Sequence, residues 1–144
     1  MSSHALRFQR SFIVRASISA VRAFHEAPEA ITRLTPMPLR IFGAAPPVAD
    51  GERIRFRLWV GAIPVRWTAR YEAVSEDGFV DVMEEGPFAS WRHEHRWRAL
   101  PDGSTEVVDT IDATPRALAS RLIWVGMKPA FAYRAWATRR ALER

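Results

Sequence analysis

The stretch ERIRFRLWVGAIPVRWTARYEAV, residues 52–74, decides the class of fold. Its first half alternates Ile54, Phe56 and Leu58 with arginines, and its second half places Trp67 and Tyr71 on a similar alternating face. A period of two residues is typical of a β-strand with one buried face. Because only a Gly-Ala pair separates the halves, the stretch predicts two antiparallel strands joined by a tight turn.

The same alternation continues on both sides of this hairpin. Seven strands are predicted, over residues 6–16, 39–43, 52–60, 63–74, 78–84, 88–100 and 104–113. Two short helices, from Ser17 or Ser19 to Glu26 and over residues 28–34, are predicted after the first strand. Beyond Pro115 the spacing is helical to the end of the chain, and Pro129 is expected to kink or split that helix.

This order predicts an α+β fold in which a curved, seven-stranded antiparallel sheet wraps around a long C-terminal helix. The apolar face of such a sheet must be covered, and only the C-terminal helix is long enough to cover it. The space left between them is a natural ligand site. Two helix stripes compete to line it, since Leu118, Val125 and Tyr133 share one stripe and Trp124 and Phe131 share another.

Length and composition exclude several classes of protein. A chain of 144 residues corresponds to a single domain, here 1–144. The absence of cysteine rules out disulfides, thiolate metal sites and cysteine nucleophiles. No apolar run is long enough for an export signal or a membrane span, and we therefore expect a cytoplasmic protein.

The net charge of +5 comes almost entirely from arginine. The arginines are spread along the whole chain, and many fall on the outward positions of the predicted strands: Arg53, Arg55, Arg57, Arg66, Arg70, Arg92, Arg96 and Arg98. A dedicated nucleic-acid surface usually shows clustering, so a nucleic-acid partner is not favoured.

The stretch WRHEHRW, residues 91–97, carries the most chemical information. Its odd positions place His93 and His95 between Trp91 and Trp97 on the inward face, while its even positions are charged. A rise of about 3.3 Å per residue predicts roughly 6.5–7 Å between the two imidazoles. Burying such rings costs free energy unless they find partners.

Two carboxylates are candidate partners for these histidines. Asp109 is the lone acidic residue on the inward face of the last strand, and Asp81 shares a parity with Phe79 and Met83 on the strand before. The pattern does not settle whether Asp81 points to the inner face of the sheet, because Val80 and Val82 make an equally apolar opposite face.

Three interpretations of this cluster remain open. The histidines are structural, or they orient the polar head of an apolar ligand, or they act as catalytic acid and base or bind a metal with Asp109. A His-x-His pair with one carboxylate is weak evidence for a metal site, and we expect neither a metal nor a cofactor. The candidate ligand-lining residues are Phe56, Leu58, Trp67, Tyr71, Phe79, Asp81, Met83, Trp91, His93, His95, Trp97, Asp109, Trp124 and Phe131. His25 is expected on a helix surface, without a role.

Two groups of segments form a recognisable pattern. Near the start they are Phe12-Ile13-Val14, Ala23-Phe24 and Leu34-Thr35-Pro36, and later they are GFVD (78–81) and GPFASWRHEH (86–95), followed by Thr105, Val107 and Asp109. Together they resemble the START-like, Bet v 1-like superfamily, the SRPBCC group of ligand-binding and polyketide cyclase/dehydrase-like proteins, and the later group is similar to a bacterial subgroup. The resemblance implies the helix-grip fold of that superfamily and a single START-like ligand-binding domain.

Such a resemblance predicts the function less reliably than the fold, because proteins with one fold can have many different activities. Our first hypothesis is a carrier or sensor that binds a small, largely apolar molecule such as a lipid, a quinone, or an aromatic or polyketide-like metabolite. An alternative is a cyclase/dehydratase-type enzyme that uses His93 or His95 with Asp109 as acid and base. A second alternative is an RNA- or membrane-surface-binding module that uses the arginine-rich outer face. The oligomeric state is left open.

Overall fold

A computed structural model describes residues 5–143. It contains seven strands and four helices, in the predicted order up to the C-terminal helix. The elements are β1 (Leu6–Val14), α1 (Ile18–Glu26), α2 (Ala30–Leu34), β2 (Leu39–Ile41), β3 (Arg53–Val60), β4 (Ile63–Ser75), β5 (Gly78–Glu85), β6 (Phe88–Ala99), β7 (Thr105–Pro115), α3 (Leu118–Val125) and α4 (Met127–Leu142). The α+β class, the seven strands and the two short helices after β1 are confirmed.

The strands form one curved antiparallel sheet in the order β1-β7-β6-β5-β4-β3-β2. Five of the six strand pairs join neighbours along the chain, as expected for hairpins, and β1 returns to pair with β7 over its full length. This order places β6 next to β5 on one side and β7 on the other. The strand that carries both histidines therefore lies between the strands that carry Asp81 and Asp109.

The C-terminal helix is divided at Gly126, and the expected break at Pro129 is wrong. Gly126 ends α3, where its N–H donates to the carbonyl of Ile123 at 3.0 Å. Pro129 is the third residue of α4, and a first-turn residue has no intrahelical acceptor for an N–H. Proline is therefore tolerated there without a kink.

The structure also shows which helix face covers the sheet. Leu118, Leu122 and Val125 are between 64% and 77% exposed, so their stripe faces away from the core. Met127 and Phe131 are buried in the main core. Trp124, which lies on the side of Phe131, is partly buried against Phe8 and Trp91.

Gly78, at the start of β5, fixes how closely β5 approaches β6. Its φ is +147°, and a Cβ at this position would collide with the backbone carbonyl of His95. Only glycine allows this approach without strain. The close pairing holds Phe79 opposite His95 and Asp81 opposite His93.

Within residues 5–143, no helix combines the length and the apolarity needed to cross a membrane.

Candidate functional site

A cavity of about 270 Å³ lies between the sheet and the helices. Strands β3 to β6 supply one wall, including Phe56, Trp67 and Trp91. The opposite wall comes from α1, α2, the α3–α4 junction and α4, and includes Phe131. Most of the lining is aliphatic or aromatic, which suits a small apolar molecule.

Strand β6 gives the cavity its polar side. Trp91, His93, His95 and Trp97 all point inward and are buried, as the alternation predicts. In the sheet register His93 lies opposite Asp81 on β5, and His95 lies opposite Asp109 on β7. Two histidines and two carboxylates therefore form one polar cluster, in which Asp81 is partly exposed and the other three residues are buried.

The hydrogen bonds within the cluster are crossed relative to the register. His93 Nε2 bonds to Asp109 Oδ1 at 2.8 Å, although Asp109 lies opposite His95. His95 Nε2 bonds to Asp81 Oδ2 at 2.6 Å, although Asp81 lies opposite His93. Each histidine therefore leans along the strand toward the position of the other.

This lean stacks the two imidazoles. Their ring centroids are 3.6 Å apart with an interplanar angle of 26°, so the expected separation of 6.5–7 Å is wrong. The expectation used the backbone rise, whereas the diagonal hydrogen bonds to β5 and β7 tilt both side chains. Phe79 extends the stack on His95, with centroids 4.3 Å apart.

Burial keeps one member of the cluster neutral. Desolvation and, to a smaller extent, the neighbouring His93 together lower the pKa of His95 to about 4. Neutral His95 must donate its Nε2–H to Asp81, which leaves Nδ1 as an unprotonated acceptor. This buried Nδ1 has no hydrogen-bond partner among the described residues.

Both carboxylates are ionised despite their burial. Burial alone would raise the pKa of Asp109, but Arg134 and the hydrogen bond from His93 outweigh it and hold this pKa well below the usual range. The pKa of Asp81 is lowered too, because the hydrogen bond from His95 and the nearby His93 overcome its desolvation. The Arg134 guanidinium lies 3.7 Å from Asp109 and over the ring of Phe131.

His25 is the third histidine at the cavity, and its expected place on a helix surface is wrong. It is buried, lines the cavity, and packs against Trp97 with ring centroids 5.2 Å apart. Burial lowers its pKa to about 4, so the neutral ring donates Nδ1–H to the carbonyl of Val21 and keeps Nε2 as an acceptor. A usable signal existed, since His25 follows Val21 by four residues on the buried side of α1.

Ten of the fourteen candidate ligand-lining residues line this cavity. They are Phe56, Leu58, Trp67, Tyr71, Phe79, Asp81, Trp91, His93, His95 and Phe131. The other four lie behind or beside it. Asp109 stands behind His93, Met83 lies against Gly86, Trp97 donates to the carbonyl of Glu76, and Trp124 packs on Phe8 and Trp91.

The helices add lining residues that the strand pattern does not reveal. Ile123, Met127, Ala130 and Arg134 share one face across the α3–α4 junction and contact the cavity. Arg134 is the informative member, because it brings a cation to a cluster of two carboxylates. Its position three residues after Phe131 was the available signal.

The cluster also contains the residue types of a metal site, but its geometry is that of hydrogen bonding. Ligand atoms of Asp81, His93 and His95 lie within 4.8 Å of one another. The 2.6 Å between His95 Nε2 and Asp81 Oδ2 is shorter than the ~3.3 Å that separates two ligands of a tetrahedral ion. Imidazole lone pairs lie in the ring planes, and the two stacked planes do not converge on one point. A metal would require the cluster to rearrange.

Comparison with known proteins places the fold. No protein-family model and no curated protein sequence matches the chain. Solved structures do match, over nearly the full length. The Zhui aromatase/cyclase from a Streptomyces species has a TM-score of 0.78 at 17% identity, with 98% of this chain and 95% of that chain covered.

Two further structures extend the comparison. A START superfamily protein from Mycobacterium smegmatis has a TM-score of 0.73 at 12% identity, covering 95% of this chain and 97% of that one. Norcoclaurine synthase from Thalictrum flavum, in complex with dopamine and hydroxybenzaldehyde, has a TM-score of 0.69 at 14% identity, covering 96% and 86%. The chain therefore has the START-like, Bet v 1-like helix-grip fold. Identities this low show the fold alone.

Proposed function

We propose that the protein binds one small, largely apolar molecule in the cavity, with the polar group of that molecule directed at His93 and His95. The observation that carries this proposal is the division of the cavity wall. Aromatic and aliphatic side chains form most of it, and the polar cluster lies on one side. An apolar body would gain about 25 cal/mol for each Å² removed from water, while the polar side would set its orientation.

The polar side favours a neutral ligand group that donates a hydrogen bond. His95 is held neutral, and both carboxylates are ionised, with the Arg134 guanidinium 3.7 Å from Asp109. A hydroxyl group satisfies such acceptors, whereas a carboxylate head would meet like charge. A carrier or sensor of a neutral aromatic or polyketide-like molecule fits this wall better than a carrier of free fatty acids.

A matched series of naphthalenes tests this proposal. Calorimetric titration with 2-naphthol, 2-methoxynaphthalene and 2-naphthoate varies only the polar group on one apolar body. We expect 2-naphthol to bind most tightly, with one site per chain, and 2-naphthoate to bind most weakly. Absence of binding throughout the series argues against the proposal, and tightest binding of 2-naphthoate refutes the preference for a neutral donor.

A second candidate function is acid–base catalysis of the cyclase/dehydratase type. One observation favours it. His93 and His95 are each fixed through Nε2 by a carboxylate, which is how enzymes orient a histidine while leaving its other ring nitrogen for proton transfer. Such a pair would remove the proton next to a carbonyl and protonate a departing hydroxyl, so that water is lost and a conjugated ketone forms.

The reaction of 4-hydroxy-4-phenyl-2-butanone separates the two functions. An enzyme of this type dehydrates it to the conjugated enone, which is followed by ultraviolet absorbance. His93→Gln and His95→Gln should then abolish the rate above background while 2-naphthol still binds. If the wild-type rate equals the rate of either variant, this enzyme hypothesis is wrong and binding alone remains.

A further inference from the structure

The outer face of the sheet, opposite the cavity, carries arginines in two different electrostatic settings. Over β5 to β7 and β1 they alternate with carboxylates. The ion pairs there are Arg7–Asp112, Arg92–Glu94, Arg96–Glu94 and Arg98–Glu106, and Glu84 of β5 reaches Arg53 and Arg70 in the same way. This part of the outer face is close to neutral.

A second group of arginines, on β2 to β4, lacks such compensation. Arg40 lies directly opposite Arg57, and Arg57 lies directly opposite Arg66, so three arginines form one row across three strands. Among residues 5–143, none of the three has a carboxylate oxygen within 4.0 Å. Like charges placed directly opposite each other destabilise a sheet. The row is therefore a feature that an external anion would stabilise.

Within the described chain, Arg57, in the middle of the row, also has a hydrogen-bond donor without an acceptor. Its Nε is buried and has no hydrogen-bond partner among the described residues. The guanidinium lies over the ring of Phe42, at 5.5 Å from the ring centroid. Its remaining donors can take an oxyanion in the bidentate manner that arginine favours.

Two aromatic side chains accompany the row. Phe42 directly follows β2 and is 44% exposed. Trp59 lies two residues after Arg57 on the same outward face of β3 and is partly exposed. Arg55, also outward, adds a fourth basic side chain beside Phe42. Cationic and aromatic side chains are therefore interleaved on one exposed sheet face.

We propose that this outer face of β2–β4, formed by Arg40, Phe42, Arg55, Arg57, Trp59 and Arg66, binds single-stranded nucleic acid. The arginines, on neighbouring strands ~4.8 Å apart, would contact phosphates through their long side chains, and the aromatic rings would stack on bases. A face three strands wide does not enter a duplex groove, which admits one helix or a two-stranded ribbon. A bilayer is disfavoured because the two aromatics are only partly exposed and one is covered by Arg57.

The arginines are spread along the sequence, which is why composition did not favour nucleic acid; the strand register brings Arg40, Arg57 and Arg66 together. This surface lies on the opposite side of the sheet from the cavity. Its role is independent of the proposed ligand binding, and either can fail alone.

Fluorescence anisotropy with a labelled 12-nucleotide oligouridylate tests the proposal, and the outer face itself supplies a matched control. The test variant is Arg40→Gln/Arg57→Gln/Arg66→Gln. The control is Arg92→Gln/Arg96→Gln/Arg98→Gln, which removes the same charge from the same sheet face where Glu94 and Glu106 are the existing partners. The melting temperature of each variant is measured first. The test variant should melt at or above the wild-type temperature, because it relieves repulsion.

We expect the wild-type protein to bind the oligonucleotide with an affinity that falls as salt rises. The test variant should lose at least ~10-fold in affinity at low salt, and its log–log salt slope should decrease by about 2, since each lost phosphate contact removes roughly 0.7. The control variant should lose less than ~3-fold. Equal losses in the two variants would show only general attraction and overturn the proposal. It is also overturned if the wild-type protein binds phosphatidylserine vesicles but not the oligonucleotide.

Discussion

Lowering the pH from 7 to 5 tests the buried histidines directly, because His25 and His95 stay neutral in the folded protein. Burial lowers the pKa of each to about 4, whereas an unfolded histidine titrates near 6.5. Between these values the unfolded chain binds protons that the folded chain does not. Stability is therefore complete above pH 6.5 and decreases as the pH falls toward 4.

The expected loss can be estimated from these two pKa values. At pH 5 each histidine contributes about 2 kcal/mol less to the free energy of unfolding than at pH 7. The two together give a decrease of about 4 kcal/mol, a large part of the ~5–15 kcal/mol that stabilises an ordinary domain. Asp81 and Asp109 contribute little in this interval, because their pKa values are lowered and their stabilisation is lost only in stronger acid.

Urea unfolding at pH 7, 6 and 5, followed by tryptophan fluorescence, measures this decrease. His25→Gln keeps a donor for the carbonyl of Val21 and removes one titrating group, so the pH-dependent part should fall by about half. A wild-type free energy of unfolding that changes by less than about 1 kcal/mol from pH 7 to 5 would refute the assignment of neutral, buried histidines.

Two further substitutions test how the cluster is held in place. Gly78→Ala should destabilise the protein by about 3 kcal/mol or more, because the added Cβ would collide with the carbonyl of His95. Gly61→Ala is the control: its φ is +61° and no atom lies near the added Cβ, so it should cost only about 1–2 kcal/mol. Equal losses on urea unfolding would mean that the β5–β6 approach is not tightly constrained. Asp109→Asn should cost about 3–5 kcal/mol, because it removes the charge of the buried carboxylate and leaves the largely buried Arg134 without its partner. Asp112→Asn, at an exposed pair with Arg7, should cost less than about 1 kcal/mol. A loss for Asp109→Asn no larger than that for Asp112→Asn would contradict the charge balance described for the site.

For the polar cluster, the sequence predicts which residues face inward. Strict alternation in residues 91–97 places His93 and His95 on the inner face, and the order of the strands places Asp81 and Asp109 on either side. The crossed hydrogen bonds were not predictable. They depend on the registers of β5 and β7 against β6, and on side chains that bond diagonally to a carboxylate two positions away in the register.

The helical half of the site was predictable only in part, because α3 and α4 carry apolar residues on both sides. Leu118, Leu122 and Val125 form as regular a stripe as Ile123, Met127 and Phe131. Periodicity cannot choose between two apolar stripes, and packing against the sheet selected the second. The helix break was placed at Pro129 for a related reason, since proline is the stronger signal in sequence but costs nothing in a first turn.

Titration with N-phenyl-1-naphthylamine tests whether the space between the sheet and α4 holds an apolar molecule. This neutral probe becomes strongly fluorescent in an apolar environment. Ala130→Trp places a large ring in the cavity, whereas Ala119→Trp adds the same ring at an exposed position on α3. We expect one saturable probe site in the wild-type protein and in Ala119→Trp, and loss of that site in a folded Ala130→Trp. Equal fluorescence in all three proteins, or none in the wild-type protein, would contradict this expectation.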